Sequence, residues 1–395
     1  MGVAKCRMAK YILLVIVASA LLSGGFAAAY DGPVAKKVFA LPSYTTVGGK
    51  TIKEVKVGYE TYGKLNAAGD NAIFIPHFFT GNSHAAGKYT DTDAAFGYWD
   101  PIIGSGRPID TDKYFVISAD TLVNLNTRDP NTTTTGPASI NPDTGKPYAM
   151  TFPVVSYADS VRVHKALLDS LGVKKLQAAA GASGGSIQAM QWAADYPDFV
   201  LRVVHVIGPG FDIHPYVIEL IDEWTLPIKL DPKWNNGDYY GRDEPVDGLA
   251  QGLKIVTIST RAFGWAEKTF GYKWADPTKD PALAMDNRFA IEDTLNKAGA
   301  TRAKSIDANS MIYTAKANQL YNLGDDVKKI KAKILFIPAS SDAVFPPELS
   351  KRAAERYRAQ GGVAEVAIIE GDGGHLDGVF NVAKQGEAIR AFLAR

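Results

Sequence analysis

The pentapeptide Gly181-Ala182-Ser183-Gly184-Gly185 constrains the fold of this chain more than any other stretch. It follows the apolar run Leu176–Ala180 and precedes a helix-like segment, Ser186–Asp195. A serine between small residues at a strand-to-helix crossing marks a tight turn with a projecting hydroxyl, because the glycines let the backbone bend. The Gly184 amide then sits near a helix N-terminus, where it can donate to a developing oxyanion. In a chain with 37 glycines the pattern also arises as an ordinary Gly-rich turn. The strand before it and the helix after it favour the nucleophile.

The rest of the chain alternates in the same way. Lys53–Tyr62, Ala72–Ile75, Tyr114–Ala119, Val200–Ile207, Ile334–Pro338 and Val363–Ile369 read as strands. Val161–Leu171, Glu348–Arg358 and Val382–Leu393 carry helical apolar spacing. Such alternation predicts an α/β fold: a mostly parallel central sheet with helices on both faces. Residues 211–326 lack the strand pattern and hold apolar and aromatic residues at helical spacing. They read as a helical cap (lid) inserted after the sixth strand, leaving 30–210 and 327–395 as the core. The length of 395 residues suits one α/β domain with a large insertion. A net charge of +1 argues against electrostatic capture of nucleic acid or a membrane surface.

Residues 1–29 read as a cleavable signal peptide. Lys5, Arg7 and Lys10 precede the apolar stretch Tyr11–Leu22, and Ala27-Ala28-Ala29 offers a small-residue cleavage site before Tyr30. The apolar stretch is short for a membrane anchor. The expected location is therefore periplasmic or secreted, with no stable membrane anchor after cleavage. Cleavage removes Cys6, the one cysteine, and with it any disulfide or thiolate site. No P-loop, dinucleotide fingerprint or metal-ligand cluster stands out, so neither cofactor nor metal is expected.

A serine nucleophile needs a base, and the base an orienting acid. Behind an elbow of this kind they follow in the order serine, acid, histidine. Of six histidines, His375 alone lies after the last predicted strand, in the loop Glu370-Gly-Asp-Gly-Gly-His375. Asp342 follows the strand Ile334–Pro338, where the acid belongs; it also reads as a turn aspartate before Pro346-Pro347. Asp372 and Asp377 are rival acids, set close to His375 in sequence. In the expected roles Ser183 attacks an acyl carbonyl, His375 moves the proton and Asp342 fixes the tautomer. A second oxyanion donor is expected from the loop after an early strand, Ile75-Pro-His77-Phe-Phe79-Thr80-Gly81-Asn-Ser-His84.

That loop resembles the His-Ala-Leu-Thr-Gly-x-Ser-His segment of homoserine O-acetyltransferases, a branch of the α/β-hydrolase superfamily. Similar stretches are Val57-Gly-Tyr-Glu-Thr-Tyr-Gly-Lys-Leu-Asn66, Gly97-Tyr-Trp-Asp100, the segments 109–116 and 135–148, Asp307-Ala-Asn-Ser310 and Ser341-Asp-Ala-Val-Phe-Pro-Pro347. The resemblance implies Ser183, Asp342 and His375 as triad. It further implies the amides of Phe79 and Gly184 as oxyanion hole, Thr80 as a pocket residue and a homodimer built through the cap.

Two departures set the chain apart. The family's catalytic histidine is followed by an aspartate that helps hold the substrate's amino group; here the position is Leu376. The family also has an arginine soon after the sixth strand for the substrate carboxylate, whereas Gly208–Tyr216 contains none. A zwitterion buried without charge partners costs several kcal/mol, so the substrate pocket beside Leu376 is expected to be apolar or neutral. The expectation is an exported serine hydrolase of small-molecule esters. The alternative is a CoA-dependent O-acyltransferase, homoserine O-acetyltransferase-like, acting on a hydroxyl acceptor. An inactive binding or scaffold protein is a third class that the intact Ser/Asp/His set argues against.

Overall fold

The structure is a computed structural model that describes Tyr30 and residues 32–395. The expected signal segment 1–29 lies outside the described residues.

Eight strands form the central sheet: β1 (Lys37–Thr45), β2 (Thr51–Tyr62), β3 (Ala72–Pro76), β4 (Phe115–Ala119), β5 (Leu176–Ala182), β6 (Arg202–Val206), β7 (Lys333–Ile337) and β8 (Ala364–Val366). Their spatial order is β1-β2-β4-β3-β5-β6-β7-β8. β2 runs antiparallel to both β1 and β4, and every pairing from β4 through β8 is parallel. The central strands β3 and β4 are buried at every position. That is what continuous apolar runs in a parallel sheet require, since helices cover both faces.

Alternate side chains feed two cores. Phe74, Ile117 and Phe336 join helices α1 (Tyr157–Ser170), α2 (Gly184–Asp195) and α8 (Pro347–Ala359) on one face. Ile73, Ile75 and Leu335 meet Trp99, Ile389 and Phe392 on the other. Between β6 and β7 lie α3 (Pro215–Leu230), α4 (Val246–Ser259), α5 (Phe263–Thr269), α6 (Ala290–Arg302) and α7 (Ala308–Gln319). Asp307 joins this insertion to the sheet domain. It caps α7 through the Ser310 amide, accepts from the hydroxyls of Tyr239 and Tyr240, and donates its own amide to the Leu125 carbonyl.

Two sequence readings change, and one strand is added. The edge strand β1 shows no clean alternation, because most of its residues are solvated and Pro42 interrupts it; proline is tolerated on such an edge. The expected strand 363–369 is ordered as a strand only over Ala364–Val366, with Ile369 bridging to Ala339. The expected helix 382–393 begins as a 3₁₀ turn, Val382–Gln385, before the regular helix Gly386–Leu393.

Candidate active site

Ser183 alone makes the crossing from β5 to α2, with φ 54° and ψ −121°. A non-glycine residue in such a region carries strain on the order of 1–3 kcal/mol and persists only where its surroundings hold it. Here the Ser183 amide donates to the Val206 carbonyl at 2.9 Å. Its carbonyl accepts from the Ser186 hydroxyl at 2.6 Å and the Ser186 amide at 2.9 Å. The flanking glycines are required by space. A β-carbon on Gly181 would fall 2.4 Å from the Gly185 carbonyl carbon, and one on Gly185 would fall 2.2 Å from the Pro76 oxygen.

Three side chains meet at this turn. His375 Nε2 lies 2.8 Å from Ser183 Oγ, and His375 Nδ1 lies 2.7 Å from Asp342 Oδ2. The amides of Val344 and Phe345 donate to Asp342 Oδ1 at 2.8 and 3.0 Å. That leaves Oδ2 for the ring. Asp342 and His375 are each only 4% exposed, so their contact is shielded from water. The Phe345 ring packs edge-on against the imidazole, 5.5 Å between centroids. Such a chain can take a proton from the serine while the carboxylate holds the other ring nitrogen protonated.

A β-carbon on Gly184 would lie 3.4 Å from the Phe79 nitrogen, so the Phe79 amide lies close to the turn that carries Ser183. Gly184 opens α2, so its N–H has no acceptor within the helix. Among the described residues the Phe79 N–H donates to no protein acceptor.

The other expected positions fall nearby with different environments. Thr80 is half-buried, and its carbonyl accepts from Asn126 Nδ2 at 3.2 Å. Leu376 follows His375 in a 3₁₀ turn and packs onto the second core. Among the rival acids, Asp372 pairs with Lys268 on the surface. Asp377 is buried, accepting from the Gly373 amide at 3.0 Å and from Asn381 Nδ2 at 2.6 Å. Neither contacts the His375 ring. The turn 208–216 brings no arginine; its Phe211 and Ile213 are buried in the first core. Among the described residues no group of three His, Cys, Asp or Glu side chains is placed to hold a metal.

Two residues escaped the sequence reading. The Tyr157 hydroxyl reaches to 2.7 Å from where a Gly184 β-carbon would be and accepts from Asn318 Nδ2 at 2.9 Å. Burial holds its pKa above the ordinary tyrosine value. Trp224 of α3 packs on the Phe79 ring, 5.2 Å between centroids, so the insertion helps wall the site. Both contacts join distant segments, and nothing local in the sequence marks them.

Comparison with known proteins places this geometry. Residues 72–381 match the family described as alpha/beta hydrolase fold. The homoserine O-acetyltransferase of Deferribacter desulfuricans is 36% identical over 357 residues, 88% of this chain and 92% of the relative. The crystal structure of homoserine O-acetyltransferase from Bacillus anthracis superposes with a TM-score of 0.88 at 35% identity, covering 92% of this chain and 98% of that one. The crystal structure of esterase E22 does so at 0.87 and 46% identity, covering 91% and 100%.

The expected ester hydrolase is corrected by the curated relatives, which run most of the chain's length and are named for acyl transfer. An apolar Leu376 and a turn without arginine do not by themselves exclude acyl transfer. The chain belongs to the α/β-hydrolase fold and, within it, to the homoserine O-acetyltransferase family.

Proposed function

We propose that the protein is an O-acyltransferase, which loads an acyl group on Ser183 and passes it to a hydroxyl acceptor. The observation that carries this is the Asp342–His375–Ser183 chain of 2.7 and 2.8 Å contacts in a member of an acetyltransferase family. Ser183 Oγ attacks the donor carbonyl while His375 Nε2 takes its proton. The Phe79 and Gly184 amides face the developing oxyanion. His375 returns the proton to the departing thiol or alcohol, then deprotonates the acceptor hydroxyl, which attacks the acyl-enzyme and frees Ser183.

The apolar Leu376 and the arginine-free turn 208–216 favour an acceptor without a full charge at either place. A purified-protein assay with an acetyl thioester, homoserine and a panel of neutral alcohols tests the reading. An O-acetyl ester of one acceptor should form faster than free acetate. Acetate as the sole product, whatever alcohol is present, would overturn it.

Two further readings belong with this one. Residues 1–29 act as an export signal, supported by their basic start, apolar middle and alanine-rich end. Outside the cytoplasm the donor would have to be an activated ester or thioester other than the cytoplasmic CoA pool. A mature terminus near Tyr30 on exported protein tests this, and an intact Met1 contradicts it. The chain also pairs as a homodimer through its inserted helices, where α3 leaves Tyr216, Leu226 and Leu230 exposed. Light scattering at micromolar concentration tests that, and a monomer contradicts it.

A further inference from the structure

His77, two residues before Phe79, is 3% exposed, and among the described residues it bonds to none of Ser183, Asp342 and His375. Its Nε2 lies 3.2 Å from the Thr121 amide nitrogen and 3.2 Å from Asn124 Nδ2. A backbone N–H can only donate, so Nε2 must accept, and the ring hydrogen resides on Nδ1. Nδ1 in turn lies 2.8 Å from the Phe78 carbonyl oxygen, to which it donates. Burial pushes the imidazole pKa down to about 4, which keeps the ring neutral and this tautomer in place at ordinary pH.

The Phe78 carbonyl and the Phe79 N–H belong to one peptide unit. The chain has no cis peptide bond among the described residues, so in this planar unit the two groups point in opposite directions. Whatever holds the carbonyl therefore aims the amide. The carbonyl is held twice, by His77 Nδ1–H and by the Gly81 amide at 2.9 Å.

The neighbouring groups are tied down as well. The His77 carbonyl accepts from Gln188 Nε2, the Thr80 carbonyl from Asn126, and the Gly81 carbonyl from both Asn124 and Asn126. Beyond them the Ser83 amide donates to Asp120. Among the described residues the Phe79 N–H has no protein acceptor, and its nitrogen lies near the serine turn.

We propose that His77 is a positioning residue: its Nδ1–H locks the Phe78–Phe79 peptide so that the Phe79 amide points into the oxyanion space. The inference rests on the acyl-enzyme reading of Ser183 and deepens it. A flip of this peptide would turn the Phe78 carbonyl toward the oxyanion and replace attraction by repulsion.

The two ring nitrogens can be separated by substitution. Asparagine places an amide near Nδ1 and can still donate to the Phe78 carbonyl, whereas glutamine reaches the Nε2 position and can only replace the bond to Thr121. Turnover of p-nitrophenyl acetate by the full chain reads the oxyanion hole whichever acceptor the enzyme uses. His77→Gln should lower kcat at least tenfold, toward the roughly 10²–10³ that loss of an oxyanion donor costs, with KM little changed. His77→Asn should stay within about tenfold of the parent, although each variant loses one buried hydrogen bond. Equal losses in the two variants, or an active His77→Gln, would overturn the proposal.

Should either variant fail to fold, nitrogen-15 NMR of the unmodified protein decides. The His77 ring, identified by its through-space contact with the Thr121 amide, should carry its hydrogen on Nδ1 and stay neutral from pH 8 to pH 5. A hydrogen on Nε2 refutes the inference. If the parent turns over no activated ester, the acyl-enzyme reading fails, and the NMR result still stands on its own.

Discussion

The Gly374 amide donates to the Ser341 hydroxyl at 3.1 Å, tying the loop that carries Asp342 to the turn that presents His375. Both loops leave the sheet at neighbouring strands, and this bond joins them directly behind the acid and the base. Gly374 is pressed from the other side by the α4–α5 link: a β-carbon there would lie 2.7 Å from the Ala262 nitrogen, at a φ of 76°. One net hydrogen bond is worth about 0.5–1.5 kcal/mol. Ser341→Ala should therefore slow kcat by no more than about tenfold with KM unchanged. Steady-state kinetics check this, and a loss approaching that of a triad variant would mean that Ser341 does more than join the loops.

The acid is assigned by geometry, and the assignment makes three carboxylates behave differently. Asp342→Asn keeps the shape but permits the wrong tautomer of His375, a change that costs about 10⁴ in rate where it has been made in a comparable triad. Asp372→Asn removes only a surface pair with Lys268 and should leave kcat within a factor of about two, as exposed pairs contribute little. Asp377→Asn weakens a buried carboxylate that orders the Gly373 amide, so its loss should appear first in thermal stability. Rates and melting curves of the three variants separate these outcomes. A larger rate loss in Asp372→Asn than in Asp342→Asn would refute the assignment.

Buried histidines give the fold a pH signature. Burial pushes His77 and His164 down to about 4 and His205 to about 3, from an ordinary value near 6.5. Between about pH 4 and 6.5 the unfolded chain binds protons that the native state refuses. Stability therefore rises with pH through that window and is lost as pH falls through it, from about 6.5 towards 4. Each site adds a slope of up to about 1.4 kcal/mol per pH unit. Urea unfolding at pH 7 and pH 5 should show a clear loss at the lower pH. Equal stability at both would contradict the neutral assignment of these rings.

Replacing Leu376 tests the charge of the acceptor side. Leu376→Asp places a carboxylate next to His375, at the position where the family keeps one for an amino group. The variant should raise kcat/KM for amino alcohols relative to neutral alcohols by at least about tenfold, the worth of one hydrogen bond to a charged partner. Acceptor competition measured by product mass spectrometry checks it. An unchanged ratio would show that Leu376 does not face the acceptor.

Local signals were legible in the sequence, and non-local ones were not. Ser183 was marked by its glycines, and His375 and Asp342 by their place after particular strands; the structure brings the three within hydrogen-bond reach. A mostly parallel sheet with helices on both faces followed from alternation. The edge strand β1 was hidden because a solvated edge has no apolar period to read. The final helix reads too long in the sequence because apolar spacing runs through Val382–Gln385 without revealing a 3₁₀ turn. Nothing local marks His77 as a tethering residue, because its partners, Thr121 and Asn124, lie on another strand's loop. The same holds for Tyr157 and Trp224, whose contacts with the serine turn and Phe79 depend on how α1 and α3 pack.

On the proposed route an acyl group on Ser183 is handed to a hydroxyl. The most direct test is the lifetime of that acyl-enzyme. Rapid mixing with an acetyl thioester, quenching and peptide mass spectrometry should show one acetyl group on the peptide containing Ser183. An accepted alcohol should speed its disappearance in proportion to concentration, with the acetyl recovered on the alcohol. An acetyl-enzyme whose decay ignores every alcohol and yields acetate alone would contradict transfer to a hydroxyl.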